Sequence, residues 1–424
     1  MAISDPRRVI EAIYRIESPK LIAKLARVLR DIGVAEELAQ DALVAALETW
    51  PESGVPDNPG AWLMTTAKNR AINALHRRRR LDRKHEELGR DLETDEPRDR
   101  GADLEAAIDD DLGDDLLRLV FAACHPVLST EARLALTLRL LGGLTTQEIA
   151  RAFLVAEPTI AQRIVRAKRT LTEQRVAFEV PSREDLAPRL ASVLEVVYLM
   201  FNEGYAATSG DDWMRPALCE EALRLGRIIV GLVPEHAEAH GLVALMELHA
   251  SRSPARVGED GAPMLLGAQN RARWDRLLIR LGLAALERAE SLAAAAGRPR
   301  DAYTLQAAIS ACHSRAPAAA DTDWARIAAL YAELATLTGS PIVELNRAVA
   351  VAMAEGAQAG LAILDALETE PALEAYYLLP TARGDLLEKL GRASEARAEF
   401  ERAAKLTKNE RERAVLLGRA AACR

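Results

Sequence analysis

The stretch "TTQEIARAFLVAEPTIAQRIVRAKRTL", Thr145 to Leu171, decides the fold class. Its apolar residues Ile149, Phe153, Val155, Ile160, Ile164 and Ala167 recur with helical period, and Ala150 is the small residue at which two helices can cross. Thr145 or Thr146 suits the first helix as a cap, with Glu148 near the positive end of the helix dipole. Pro158 suits the first turn of the second helix, where its missing N–H would be unpaired in any case. Ile160, Ile164, Ala167 and Leu171 then make one buried stripe, and Thr159, Gln162, Arg163, Arg166 and Arg169 fall on the opposite face. Short polar side chains followed by arginines on one face are the chemistry of a helix that reads base edges and grips phosphates. A solvated amphipathic hairpin is the plainer alternative. One position departs from the helix-turn-helix pattern: Leu154 stands where a glycine usually makes the turn, and a left-handed leucine costs about 1 kcal/mol or more.

The rest of the chain is acidic. Its 424 residues carry 55 Lys and Arg against 63 Asp and Glu, a net charge of −8. That length implies two or three domains. Apolar residues are 49% of the chain but aromatics only 4%, and runs rich in Val, Ile, Thr and Tyr are nearly missing, so the expected fold is all-α. The four cysteines, Cys124, Cys219, Cys312 and Cys423, have no paired spacing, which favours reduced thiols and a cytoplasmic location. The first twenty residues lack a signal-peptide core, and no window approaches the ~20 apolar residues needed to span a membrane. Basic runs at Arg77–Arg80 and Arg163–Arg169 flank an acidic stretch from Asp91 to Asp115, which reads as a solvated linker with one short helix near Leu104 to Ile108.

Three helices are expected before that linker. The first covers residues 6 to 30, interrupted or bent at "ESPK". The second, "VAEELAQDALVAALETW", turns Leu38, Ala42, Ala45 and Ala46 inward and Glu36, Glu37, Gln40 and Asp41 outward. The prolines and glycine of "PESGVPDNP" predict a loop. In "GAWLMTTAKNRAINALHRRRR", Leu63, Ala67, Ala71 and Leu75 line one stripe, with Lys68, Arg70 and the terminal arginines outward.

Taken in order, "AEELAQDALVAALETW", the proline-rich loop, "AWLMTTAKNRAINALHRRRR", the acidic linker and the helix-turn-helix resemble the extracytoplasmic-function sigma factors of bacterial RNA polymerase, over residues 8 to 80 and 115 to 176. The resemblance implies region 2 at residues 1–80, a linker at 81–114 and region 4 at 115–180. It implies RNA polymerase core and promoter DNA as partners. Glu36, Glu37, Gln40 and Asp41 would then dock on the clamp helices of the β′ subunit. Trp62 and Asn69 match the family's pattern for the −10 element, Lys68, Arg70, Arg77 and Arg78 would hold phosphates, and the loop Pro51 to Asn58 would receive an unstacked base. Unstacking a base costs a few kcal/mol, which a shaped pocket and backbone contacts must offset. Thr159, Gln162, Arg163, Arg166 and Arg169 would meet the −35 element. Asn73 replaces an aspartate that many relatives carry.

Residues 181 to 424 begin with the boundary-like "PSREDLAP" and continue as helical hairpins. In "GDLLEKLGRASEARAEFERAAKLTKN", Gly384, Ala396, Phe400 and Ala403 have tetratricopeptide spacing, and Ala222, Gly226, Ile229 and Pro234 repeat the phase. A generic helical domain is the alternative. "YLMFNEGYAATSGDDWMRP" is expected to break a helix at Asn202, Glu203, Gly204 and Tyr205, and "RVGEDGAPMLLGAQNRARWDR" is a long connection ending in Arg271, Arg273, Trp274 and Asp275. Long structured segments of this kind tend to be functional. Asn202, Glu203, Tyr205, Arg273, Trp274 and Asp275 are therefore regulatory candidates, either around a ligand or against the sigma regions; simple helix-connecting loops are the plainer alternative. The arrangement is similar to a sigma subfamily with a C-terminal tetratricopeptide-like extension containing "FNEGY", which implies that the extension modulates activity in an intramolecular contact.

His236 and His240 of "HAEAH" are one helical turn apart without a third ligand, so no metal is expected, and no cofactor. There is no phosphate-binding glycine loop and no nucleophile elbow, so no catalytic residue is assigned and the chain is not expected to be an enzyme. Two rivals are a helix-turn-helix regulator with a repeat-built effector domain and a helical repeat scaffold. Neither needs the acidic helix or the proline-rich loop.

Overall fold

Alanine-rich amphipathic sequence makes most of the described residues helical, and no β-strand is present among them. The computed structural model describes residues 6–71, 112–153, 155–182, 184–205, 214–258, 264, 266–407 and 410–423. It divides into two compact units: Met1–Gly204 with Glu220–Leu232, and Tyr205–Cys219 with Val233–Arg424.

The first unit begins with α1 (Pro6–Leu29), α2 (Ile32–Ser53) and α3 (59–71). Asp31 caps α2 by accepting from the Val34 N–H at 3.1 Å, and Asn58 caps α3 by accepting from the Ala61 N–H at 3.0 Å. Leu38, Ala42 and Ala46 of α2 and Leu63, Ala67 and Ala71 of α3 are buried as their spacing predicts, while Ala45 is only half-buried; Leu75 lies outside the described residues.

Two expectations fail at prolines. α1 runs through Pro19 without interruption, because Pro19 is buried among Leu116, Val120, Val193 and Val197, so packing compensates for the lost backbone bond. α2 continues through Pro51 to Ser53, leaving a loop of only residues 54–58. Pro51 is in the last turn and forfeits one bond. The Ser53 hydroxyl donates to the Thr49 carbonyl at 2.9 Å, and the Gly54 N–H, at φ 83°, donates to the Trp50 carbonyl at 2.9 Å.

α4 (Leu112–Ala123), α5 (Thr130–Leu140), α6 (Thr146–Phe153) and α7 (Glu157–Glu173) follow. Asp115, expected at the solvated end of the linker, is 1% exposed and held by Arg27 at 2.8 Å and Arg118 at 2.6 Å. Removing one partner of such a buried pair typically costs about 3–5 kcal/mol. The linker residues before Leu112, including the short helix expected near Leu104 to Ile108, are outside the described residues. Gly143, at φ 64°, makes the turn between α5 and α6; a Cβ there would be 3.2 Å from the Arg15 Cα of α1. α8 (Leu186–Tyr205) lays Val193 and Val197 against Leu116, Val120 and Cys124 of the α4 segment. Arg189 donates to the Phe121 carbonyl at 2.8 Å, and Ser192 to the Cys124 carbonyl at 2.8 Å. α8 continues to Tyr205, so "NEGY" does not break the helix; Gly204 is buried, and one helical glycine costs only about 1 kcal/mol. α9 (Pro216–Leu232) adds Arg224, which donates to the Leu141 carbonyl.

The second unit continues with α10 (Ala237–Ala250), α11 (Arg276–Ala295), α12 (Ala302–Arg315), α13 (Trp324–Thr338), α14 (Pro341–Glu355), α15 (Ala357–Ala366), α16 (Leu378–Lys389), α17 (Ala393–Leu406) and α18 (Glu410–Ala422). From α12 onward each helix packs on the next in sequence. Ala396, Phe400 and Ala403 are fully buried, and a Cβ on Gly384 would lie 2.6 Å from Phe400 Cε1.

Gly384→Val should therefore destabilise the helical stack by about 1–3 kcal/mol through overpacking. Gly418→Ala, in open space on α18, should stabilise it by about 0.5–1 kcal/mol. Urea unfolding followed by circular dichroism separates the two; a neutral Gly384→Val would refute the close-packing account. A chain ending at Leu232 should melt higher than one ending at residue 180, because the shorter chain exposes the Leu116, Val120 and Cys124 face that α8 covers. Equal melting temperatures would show that α8 adds nothing to that core.

Candidate nucleic-acid interface

The α6–α7 pair is built as its sequence requires. Thr145 Oγ1 accepts from the Glu148 N–H at 3.1 Å, and Glu148 Oε2 accepts from the Thr145 N–H at 2.7 Å, a reciprocal capping box. Burial pulls the Glu148 carboxyl upward, but the Thr145 N–H and the Arg15 guanidinium outweigh it and hold the group below its ordinary range. Pro158 lies in the first turn of α7. Ile160, Ile164, Ala167 and Leu171 are all buried, as are Ile149 and Ala150 of α6. Each fully buried Ile or Leu contributes about 1.5–3 kcal/mol, which fixes the rotation of α7 about its axis. Thr159, Gln162, Arg166 and Arg169 are consequently exposed and Arg163 is half-buried. Arg169 pairs with Glu173 at 2.6 Å, and Arg163 is close enough to Glu131 to lower its carboxyl behind stronger hydrogen bonds. Leu154, the residue at the turn, is outside the described residues.

On α3, Asn69 is exposed and Lys68 and Arg70 are half-buried. Trp62 is half-buried and meets Trp50 edge-on, centroids 5.2 Å apart at 67°. Its ring is thus held at the surface by a core tryptophan. Arg70 pairs with Asp41 at 3.3 Å, an exposed contact worth at most about 1 kcal/mol. Arg77 and Arg78 lie outside the described residues.

On α2, Glu37 and Asp41 are exposed and Gln40 is half-buried, but Glu36 is not outward: it is 3% exposed. Arg139 of α5 reaches its Oε1 at 2.6 Å, Gln40 donates to the same oxygen at 2.5 Å, and Lys168 of α7 pairs with Oε2. Tyr14 joins this group, its hydroxyl pushed up by burial, with Arg139 opposing and Glu36 adding to the shift. A helical wheel of α2 alone puts Glu36 beside Glu37, and only packing against α5 and α7 makes it interior. Arg139 and Lys168 went unnoticed in the sequence for the same reason: nothing local distinguishes them from solvated cations.

The regulatory candidates separate. Tyr205 stacks near His249 with centroids 5.1 Å apart and lies under Arg256. Trp274 is 3% exposed, between Arg252 and Arg271. Asp275 caps α11, accepting from the Leu277 and Leu278 N–H groups at 2.8 and 3.0 Å. Arg273 is exposed, and Asn202 and Glu203 end the part of α8 that belongs to the first unit. His240 Nε2 contacts the Pro234 carbonyl at 2.9 Å, and no group of three metal-ligating side chains occurs among the described residues. No helix among them is long and apolar enough to cross a membrane.

Comparison with known proteins follows the same division. Residues 13–81 match Sigma-70 region 2, residues 118–171 match Sigma-70 region 4, and residues 189–290 match a family of unknown function (DUF6596). An uncharacterized protein of Rhizobium meliloti (strain 1021) is 41% identical over 400 residues, covering 94% of this chain and 92% of that protein. The ECF RNA polymerase sigma factors SigK of Mycobacterium sp. strains KMS and JLS are each 28% identical over 157 residues, covering 36% of this chain and 76% of theirs. No solved structure matches. With both sigma regions in order, each built on the buried stripes described above, and a helical extension after them, the chain belongs to the extracytoplasmic-function sigma factors of RNA polymerase, as an alternative sigma factor with a C-terminal extension.

Proposed function

We propose that the exposed face of α7, Thr159, Gln162, Arg163, Arg166 and Arg169, reads the −35 element, and that α3 with the loop before it handles the −10 element. The observation that carries this reading is the fixed rotation of α7. Four buried apolar residues leave the polar and cationic residues of one helix on a single accessible face. Trp62, Lys68, Asn69 and Arg70 occupy the corresponding surface of α3, with Arg77 and Arg78 following in sequence. The affinity of either module rests on phosphate contacts and falls with salt, so neither holds a promoter alone and the polymerase sets their spacing.

Glu37, Gln40 and Asp41 are the first contacts to the β′ clamp helices, and Glu36 is the conditional one. In the conformation described here Glu36 is engaged by region 4 through Arg139 and Lys168. Polymerase docking that uses the whole acidic face therefore requires α7 and α5 to leave α2. Residues 181–424, read as a tetratricopeptide-like stack, modulate that opening, since α8 and the Arg224 segment are already bound to the region 4 helices. The chemistry of RNA synthesis stays with the polymerase.

Two outcomes are expected. Arg163→Ala with Arg166→Ala should reduce promoter-specific transcripts from reconstituted holoenzyme more than tenfold, at about 1–3 kcal/mol for each lost DNA contact, with little change in melting temperature. Undiminished single-round transcription would overturn the assignment of the α7 face. Lys168→Ala should raise affinity for core polymerase in the absence of DNA by up to about tenfold, the worth of about 1.4 kcal/mol of released pairing. An unchanged or weakened dissociation constant would mean that the Glu36 contact does not compete with polymerase.

A further inference from the structure

The second unit contains a group of cations that the sigma activity does not use. Arg252 and Arg256 are one turn apart just beyond α10, and Arg252 lies near Arg271 from the long connection before α11. Arg252 and Arg271 are 5% and 8% exposed. Arg252 donates to the Leu248 carbonyl at 3.3 Å and the Ser310 hydroxyl at 3.1 Å, with its guanidinium 5.9 Å from the Trp274 centroid. Arg271 donates to the His313 and Ala316 carbonyls, both at 2.6 Å, and to Thr322 at 3.1 Å, 4.9 Å from the same ring. Arg256 lies 3.6 Å over the Tyr205 ring and donates to the Tyr205 carbonyl. None of the three forms an ion pair with a carboxylate among the described residues.

The three are not equivalent. Arg271 has a structural function: its two short bonds satisfy carbonyls at the C-terminal end of α12, where the helix dipole favours a cation. Arg252 and Arg256 also meet helix-end carbonyls, Leu248 and Tyr205, but neither charge is matched by a carboxylate among the described residues. Beyond those acceptors the surroundings are unfavourable to the charge: burial lowers Arg252, Arg256 repels it while Tyr205 and Tyr331 oppose the shift, and His249 is pushed well below its ordinary range by burial and by both arginines. The buried Trp274 Nε1–H and Arg271 Nε–H have no acceptor among the described residues, and burying donors without acceptors is costly. Two guanidinium forks, unpaired buried donors and two aromatic faces are the elements of a site for a planar or tetrahedral oxyanion. Tyr205, at the end of "FNEGY", and Arg256 and Trp274, which are far apart from it in sequence, supply most of it.

We propose that Arg252 and Arg256, beside Tyr205 and Trp274, form a binding site for the phosphate or carboxylate group of a small metabolite. The ligand enters from the side of Arg256, the half-buried member, and its charge is met by the fully buried Arg252 behind it.

The test is calorimetric titration of the full chain with sodium phosphate, sodium pyrophosphate and sodium citrate, with ionic strength held constant by sodium chloride. Tryptophan fluorescence is followed in parallel. At least one probe should bind saturably and raise the melting temperature. Preference for the phosphates over citrate identifies a phosphorylated ligand, and the reverse preference a carboxylate. Arg256→Gln should weaken binding at least tenfold in a chain that still unfolds cooperatively, and Trp274→Phe should abolish the fluorescence response and weaken binding. Arg252→Lys, which keeps the charge but loses the fork, should give an intermediate loss. If none of the three probes saturates, or if Arg256→Gln binds as the wild-type chain does, the proposal fails.

Discussion

The carboxylate of Glu36 is the constraint on which the first unit depends. A nearly buried charge must be matched, and here three side chains from three helices do so: Gln40 from its own helix, Arg139 from α5 and Lys168 from α7. Their convergence ties a region 2 helix to the two helices that frame region 4. Pairs of this kind add little net stability relative to a well-packed apolar contact, but leaving one charge unpaired is expensive. In the proposed function the contact acts as a latch, released when another partner takes the Glu36 carboxylate from Arg139 and Lys168.

The same logic explains why the rest of the interface is weak. Arg15–Glu148 at 2.7 Å and Arg70–Asp41 at 3.3 Å are solvent-exposed and contribute little. The close approach of Gly143 to Arg15 shapes the contact without holding it. Asp115, matched by Arg27 and Arg118, is the second buried charge joining α1 to the start of region 4. Two buried carboxylates and a bed of small apolar residues thus place two sigma regions in one compact unit, and α8 covers an apolar face of that unit with Val193 and Val197.

Charge is handled differently in the second unit. Its buried charged groups include Glu247 and the guanidiniums of Arg252 and Arg271, and the guanidiniums are met by helix carbonyls and ring faces. A stack of sequence-adjacent helices supplies rigidity, with Gly384 allowing Phe400 to reach the neighbouring backbone. The long connection from Arg256 to Asp275 is held at both ends: Asp275 caps α11 and its N–H donates to the Ser251 carbonyl at 2.8 Å, which fixes Trp274 beside the arginines.

The sequence by itself determined the helical class, the caps at Thr145 and Glu148, the buried stripes of α2, α3 and α7, and therefore which face of α7 is accessible, because these follow from period 3.6 and from bonds between residues three or four apart. Tertiary structure alone decided the fate of Glu36, of Asp115 and of the two prolines inside helices. A helical wheel separates polar from apolar but cannot tell a solvated carboxylate from one met by an arginine 103 residues away. It likewise cannot foresee that packing around Pro19 compensates for a missing backbone bond, or that Tyr205, Arg252 and Trp274 share one cluster. Such contacts depend on which faces are brought together, and that choice is made by the summed burial of the whole unit rather than by any local segment.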